Sequence, residues 1–314
     1  MEVCIWGARG SLPTPMTPAQ FRRQVHRILA RVQPDDLVSA SSIEAFLDQE
    51  PMAAIHGGNT SCVSVRFGET VIVCDAGSGL RVLGRESWLA DKDIHVLFTH
   101  FHWDHLCGLP FFAPLYNPNA VLKFHSWHED TEQWLAGQMA GAYFPVKWHQ
   151  LPSERRCSYL DPAQSHALTP HVHVSLLELQ HPDGAYGYRI HTPDGDVCYL
   201  TDTEVSQTPK EYADDYAQFA HGARVVIVDA MYGFLDFHDH INFGHSTAFT
   251  WIDFFGHAEV EELVLFHHDP EADELALRSL LTSAREYAEA LGVSMKITAA
   301  REGMRWTVEG SEAG

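Results

Sequence analysis

The run Thr99-His100-Phe101-His102-Trp103-Asp104-His105 constrains this chain more than any other stretch. It follows the apolar segment Ile94-His95-Val96-Leu97-Phe98 and precedes Leu106-Cys107-Gly108-Leu109-Pro110, so three imidazoles and one carboxylate gather at the mouth of a buried strand. Strand side chains two apart share a face, so a strand ending near Thr99 sends His100 and His102 the same way. Asp104 and His105 fall on the turn beyond it and reach a second, neighbouring point. Such spacing suits two adjacent metal ions better than one, and chance clustering among the chain's 21 histidines accounts poorly for it. Imidazole and carboxylate donors without thiolate suit Zn²⁺, with Mn²⁺ or Fe²⁺ as alternatives.

The same device recurs downstream. Alternation over His171–Leu179 predicts a strand that ends at His181, and Val197–Leu200 runs out at Thr201-Asp202-Thr203. Leu263–Phe266 likewise ends at His267-His268-Asp269. Apolar strands that hand over metal-binding residue types converge where strand ends meet, although these positions span half the sequence.

Between these points the periodicity predicts a strand at 2–6 and a hairpin of 62–67 with 70–74 across Gly68-Glu69. Short strands at 120–124, 295–298 and 304–308 follow, with a hairpin of 186–191 with 197–200. Helices are expected from Phe21 to Val32, at 41–49, near 80–83, and at 129–139 and 247–255. A long helix carries Leu277 to Leu291 on one face and stops at Gly292. The proline-punctuated stretch 144–170 reads as loop. Arg23, Arg27 and Arg31 form a helix stripe, read as a solvated face. With no linker or low-complexity tract, residues 1–314 are expected to form a single domain with a helical insertion at about 14–56.

Charge limits the partners. A formal net charge of −21 repels polyanions, so duplex nucleic acid is disfavoured, while a small anion can still approach a cation-bearing site. The six cysteines form no Cys-x-x-Cys pair and read as buried free thiols of a reducing compartment. No signal-peptide pattern and no membrane-length apolar run is visible, so a soluble, cytoplasmic protein is expected.

The His-x-His-x-Asp-His motif at 100–105, followed in order by His181, Asp202 and His267, resembles the metallo-β-lactamase superfamily. The resemblance implies an α/β (α+β) fold, a four-layer αβ/βα sandwich with a dinuclear site at one edge of its two sheets. It implies that His100, His102 and His181 hold one divalent cation and Asp104, His105 and His267 the other, with Asp202 bridging. His268 adjoins His267 and is the alternative last ligand. Asp75 matches the family's buried aspartate that braces the metal loops.

Gly244-His245-Ser246-Thr247 resembles the histidine–serine–threonine motif of the phosphodiesterase branch, which includes tRNA 3′-processing endonucleases and bacterial enzymes of small cyclic phosphodiesters. Gly7-Ala8-Arg9-Gly10-Ser11-Leu12-Pro13 and Gly57-Gly58-Asn59-Thr60-Ser61-Cys62 resemble bacterial members of that branch. Aspartate at 202, where β-lactamases carry cysteine, disfavours antibiotic hydrolysis, and no Gly-Pro-rich, Lys-rich arm for gripping tRNA is present.

The implied chemistry is attack of a metal-bridging hydroxide on a small cyclic nucleotide or cyclic phosphate, with bound water acidified from a pKa of 15.7 to about 7. Asp104 orients the hydroxide, His245 is the candidate general acid, and Asn59 and Tyr232 are candidate substrate contacts. The plainer readings are a helix-start residue for His245, a turn former for Asn59 and a packing residue for Tyr232. Thioester or lactone hydrolysis on the same fold is the alternative, and a metal-retaining sensor without turnover lies outside the enzyme class. Dimerisation is common in the resembled branch, though no interface patch stands out. Specificity is assigned to loops at 12–56, 143–160 and 232–243.

Overall fold

The computed structural model describes residues 1–205, 210–233 and 237–310, so part of the expected specificity loop at 232–243 and the last residues of the expected 1–314 domain lie outside the described residues. The amino-terminal half runs β1 (Glu2–Gly7), α1 (Pro18–Leu29), α2 (Ala40–Gln49), β2 (Cys62–Phe67), β3 (Thr70–Cys74), α3 (Leu80–Leu83), β4 (Asp93–Leu97), β5 (Val121–Ser126), α4 (Thr131–Gln138) and β6 (Glu154–Tyr159). The second half follows with β7 (His166–Thr169), β8 (Val172–Leu179), β9 (Ala185–Thr192), β10 (Gly195–Leu200), α5 (Lys210–Ala220) and β11 (Val225–Asp229). It closes with α6 (Ala248–Phe255), β12 (Glu262–Phe266), α7 (Glu274–Leu291), β13 (Lys296–Ala299) and β14 (Arg305–Thr307).

Two sheets result, ordered β14-β1-β2-β3-β4-β5-β6 and β13-β12-β11-β10-β9-β8-β7. Strands β3 to β6 are mutually parallel, as are β10 to β13. Parallel strands bury both faces, which is why β3 and β11 read as unbroken apolar runs instead of alternating ones. One core lies between the sheets, with Ile5, Val65 and Ile72 facing Tyr188, Ile227 and Phe266. The outer face of the first sheet is covered by α3 and α4 through Leu80, Leu83 and Leu135, and that of the second by α5, α6 and α7 through Tyr216, Trp251 and Ala284. Helix, sheet, sheet and helix therefore stack as the four layers of the metallo-β-lactamase sandwich.

Helix ends follow local chemistry. Thr17 and Gln20 form a capping box at α1, and Asp273 accepts from the Leu275 and Ala276 amides at α7. Gly292 ends α7 at φ 69°, a left-handed position that costs glycine nothing. Between β1 and β2, helices α1 and α2 occupy the segment expected to be a helical insertion. No described helix is long and apolar enough to cross a membrane.

The structure departs from expectation in three places. The expected loop at 144–170 contains β6 and β7, the outermost strands of their sheets. Each pairs on one side only, so half-exposed sequences such as Glu154-Arg155-Arg156-Cys157-Ser158-Tyr159 lack the apolar alternation of an inner strand. Helix α5 was not anticipated, because only Tyr216 and Ala220 are buried among its described side chains, with Ala217 and Phe219 half-buried against the core. Strand β4 stops at Leu97, where Asp75 draws in the Thr99 amide and hydroxyl, so His100 and His102 sit on a loop and not on the pleat.

Candidate metal centre

Parallel strands point their carboxyl ends the same way, so residues just after β3, β4, β10, β11 and β12 meet at one edge. Asp75, Asp202 and His267 each leave a strand at positive φ, at 60°, 56° and 54°. That left-handed conformation is costly for most side chains and tolerated best by Asn, Asp and His, and it turns each side chain sharply back over the sheet edge.

The ligand types fall into three adjoining groups; the expected ligands make up two, and the third joins Asp229 and His245 to Asp202 and His267. His100, His102 and His181 each offer a ring nitrogen, the three within 4.8 Å of one another. His181 Nε2 lies 3.1 Å from His102 Nδ1. Asp104, His105, Asp202 and His267 form the second group, all buried. Asp202 Oδ2 lies 3.0 Å from His105 Nε2 and 3.4 Å from His100 Nε2, while its Oδ1 lies 3.0 Å from His267 Nε2. Asp104 Oδ2 lies 3.2 Å from His105 Nε2 and 3.1 Å from His267 Nε2. Asp202 thus faces both groups. His268 points away, donating Nε2–H to the Ala300 carbonyl at 2.7 Å, so His267 and not His268 joins the cluster.

A surrounding shell fixes these side chains. Asp75, fully buried, accepts from the Thr99 amide, from the Tyr199 hydroxyl at 3.0 Å and from His105 Nδ1 at 2.8 Å. His181 Nδ1 donates to the Gly244 carbonyl at 3.1 Å, and a β-carbon on Gly244 would stand 2.3 Å from that nitrogen. The strap after β1 also reaches the centre. Ser11, at φ 61°, donates its amide to Asp104 Oδ2 at 2.8 Å, and a β-carbon on Gly10 would lie 2.6 Å from the His267 ring.

His245 stands at the rim, its ring 4.9 Å from that of His267 and 5.7 Å from that of His181. Its Nδ1 pairs with Asp229 Oδ2 at 2.6 Å. Asp229 is fully buried, and its carbonyl accepts from the Trp251 indole at 2.6 Å, which ties β11 to α6. Asp229 and Ser11 are the site residues that sequence reasoning missed. A legible signal existed for Asp229, which ends an apolar strand as the other site residues do. For Ser11 only the fold brings the strap to the edge.

The two substrate-contact candidates lie apart. Tyr232 is buried, stacks on His240 at 4.4 Å and lies 6.0 Å from the His245 ring. Asn59 has both ends of its amide engaged, donating to Glu302 and accepting from Ser78. It lines a separate cavity of about 780 Å³ beyond the strap, together with Arg23, Arg27 and Arg81. Of the arginine stripe, Arg31 pairs with Glu50 and the other two face that cavity, so it is not a purely solvated face.

Burial dominates the electrostatics and neighbouring charges then decide its outcome. Burial pushes the His100 and His181 imidazoles down, towards the neutral form that binds metal. Burial opposes ionisation of Asp104 and Asp202 as well, yet His105 and His267 outweigh it and hold both carboxyls below the usual range. His105 is raised well above its ordinary value by Asp202, Asp104 and Asp75 against its own burial. The two carboxylates therefore demand positive charge at that point. The Nε2 atoms of His100 and His105 are buried and, among the described residues, make no hydrogen bond of regular geometry, though both face Asp202. Ionised carboxylates, imidazole nitrogens gathered around them and an all-N/O donor set fit divalent cations.

A Beta-lactamase superfamily domain model matches residues 70–268, from β3 to one residue past His267. No curated protein matches significantly. Solved structures of similar fold include a diphosphatase from the PhnP family, at 17% identity over 98% of each chain with TM-score 0.63. The short form of human tRNase Z aligns at 16% identity over 98% of this chain and 99% of its own, TM-score 0.63. Zn²⁺-bound PqqB from Methylobacterium extorquens aligns at 16% identity over 98% and 100%, TM-score 0.59. Sandwich and strand-edge cluster together define a hydrolase of the metallo-β-lactamase fold. The chain belongs to the β-lactamase superfamily domain family, and the matched span includes all seven of the histidines and aspartates singled out as ligands.

Proposed function

We propose that this protein is a metal-dependent phosphodiesterase acting on a small cyclic nucleotide or cyclic phosphate. His100, His102 and His181 would hold one divalent cation, Asp104, His105 and His267 the other, and Asp202 both, with zinc favoured by the donor set. Bound cations supply Lewis acidity towards the ester oxygens and acidify water for attack on phosphorus. Asp104, whose carboxylate is steadied by the Ser11 amide, orients the attacking water.

One observation carries the phosphodiesterase reading: a buried carboxylate–imidazole pair, Asp229–His245, stands beside both ligand groups. An alkoxide leaves poorly unless protonated. Burial pulls His245 down, but Asp229 overrides it and raises the imidazole to about 9, so at neutral pH it carries a proton to donate. Tyr232 borders that acid. The diphosphatase and tRNase Z among the structures of similar fold support phosphoester chemistry, and the PqqB structure supports zinc. The net charge of −21 supports a small anion over duplex nucleic acid, and six free cysteines support a reducing, cytoplasmic setting.

His245→Ala tests the assignment. Metal content should stay normal while hydrolysis of alkyl diesters falls by about 10²–10⁴-fold and activated aryl esters lose far less. Equal losses on both ester types would refute the acid role. Faster turnover of thioesters or lactones than of bis(p-nitrophenyl) phosphate would replace the phosphodiesterase reading with the other hydrolase.

A further inference from the structure

A cleft of about 840 Å³ opens directly beside the imidazole group, with His100 and His102 in its wall. Phe101, Trp127, His128 and Trp134 supply much of the rest, facing the turn Pro182-Asp183-Gly184. Among the described residues no lysine or arginine lines it, and its one carboxylate is Asp183. A second phosphate or carboxylate group entering here would lose hydration and find no countercharge. A flat, uncharged ring would lose nothing of that kind and would gain aromatic contact.

The rings are held in place for such a guest. Trp127 donates its indole N–H to the Thr99 carbonyl at 2.7 Å, so the wall is tied to the loop that carries His100. Gly184, at φ 86°, lets the opposite turn close on Trp127, where a β-carbon would stand 3.3 Å from the indole. Trp134 stacks on His128 at 3.8 Å between centroids and meets Phe101 edge-on at 4.7 Å. Trp134 nevertheless remains 38% exposed, a large aromatic surface left facing solvent beside candidate metal ligands.

We infer that this cleft binds a flat, uncharged aromatic substituent of the ester, an aryl ring or a nucleobase, while the phosphoryl group lies at the cluster. The inference rests on the phosphodiesterase reading and narrows its substrate class to esters that carry such a ring. Trp134 and Phe101 are then specificity residues, acting on substrate binding and not on the proton transfer assigned to His245.

The test uses p-nitrophenyl phosphodiesters that share one leaving group and differ in the retained substituent, methyl against phenyl, with the zinc-loaded protein. The phenyl ester should be favoured about tenfold or more in kcat/KM, chiefly through KM. In Trp134→Ala the phenyl-over-methyl ratio should fall to about threefold or less, and Trp134→Phe, which keeps a ring, should restore most of it. No preference in the natural protein, or a ratio untouched by Trp134→Ala, overturns the inference. Calorimetric binding of phenylphosphonate and methylphosphonate separates this from the parent reading. Phenylphosphonate preference that Trp134→Ala abolishes, in a protein that cleaves no diester, upholds the cleft and sinks the phosphodiesterase. Equal binding of the two phosphonates sinks the cleft even if diesters are cleaved.

Discussion

The two ligand groups at the sheet edge are built from different chemistry. His100, His102 and His181 are imidazoles on loops, and the group grades from buried His100 to exposed His102. Asp104, His105, Asp202 and His267 are all buried, include two carboxylates, and depend on left-handed backbone at Asp202 and His267. The open group contains no carboxylate and is kept in order by hydrogen bonds that His100 and His181 make to the Thr99 hydroxyl and the Gly244 carbonyl. The closed group holds itself together by ion pairs between its own members. An open site without carboxylates exchanges its cation readily, whereas a buried one that holds two binds it as part of the fold. We therefore expect two unequal affinities, with the closed group filling first.

Asp202 faces both groups, so its loss should erase the difference. Asp202→Ala is expected to release both cations and to lower turnover on the order of 10³-fold or more, read by elemental analysis and initial rates. Retention of one full equivalent would mean that the groups are independent.

Single-group variants sharpen the contrast next. His102→Ala should cost one equivalent and leave the metal-free protein's thermal unfolding nearly unchanged. His267→Ala should cost the tighter equivalent and also destabilise the metal-free fold by about 3–5 kcal/mol, because Asp104 and Asp202 then face each other with one imidazole fewer. Equal effects of the two substitutions on unfolding would erase the distinction between open and closed groups. A smaller effect is expected at Asp75, which touches the closed group through His105 and the open one only through Thr99. Asp75→Asn cannot accept equally well from His105 Nδ1, and should weaken the tight site about 10–100-fold in chelator competition while the loose site changes less.

Much of this was legible in the sequence, and the reason is the same as for the fold itself. Parallel inner strands need unbroken apolar runs, so Val71–Cys74, Val225–Val228 and Leu263–Phe266 announce themselves, and whatever follows each run lands at the common edge. The histidine motif, Asp202 and His267 were found in this way. Edge strands β6 and β7 and helix α5 escaped because partial exposure removes the periodic signal. Ser11 escaped because its role is an amide at positive φ, a backbone property that side-chain identity does not encode. The aromatic cleft draws on segments far apart in sequence, around Phe101, Trp134 and Gly184, none of which shares a periodicity with the others.

His245 offers the subtlest test of where the closed group ends. Its raised pKa has two sources besides opposing burial: Asp229, in direct contact, and the more distant Asp202 and Asp104. Asp229→Asn separates them, because the Trp251 indole binds the Asp229 main-chain carbonyl and the Met231 amide binds Oδ1, so both anchors persist while the charge goes. In metal-free protein the His245 midpoint, followed by NMR, should fall from about 9 towards the ordinary value of about 6.5. The sign for stability follows. A raised imidazole pKa stabilises the fold fully below about pH 6.5, and that contribution fades as pH rises through about 9, so Asp229→Asn should destabilise at pH 6 and scarcely at pH 10. In loaded protein the same change should cost about tenfold on alkyl esters and shift the alkaline limb of the rate profile to lower pH. A midpoint that stays near 9 would assign the charge on His245 to Asp202 and Asp104, and the closed group would then extend to the acid itself.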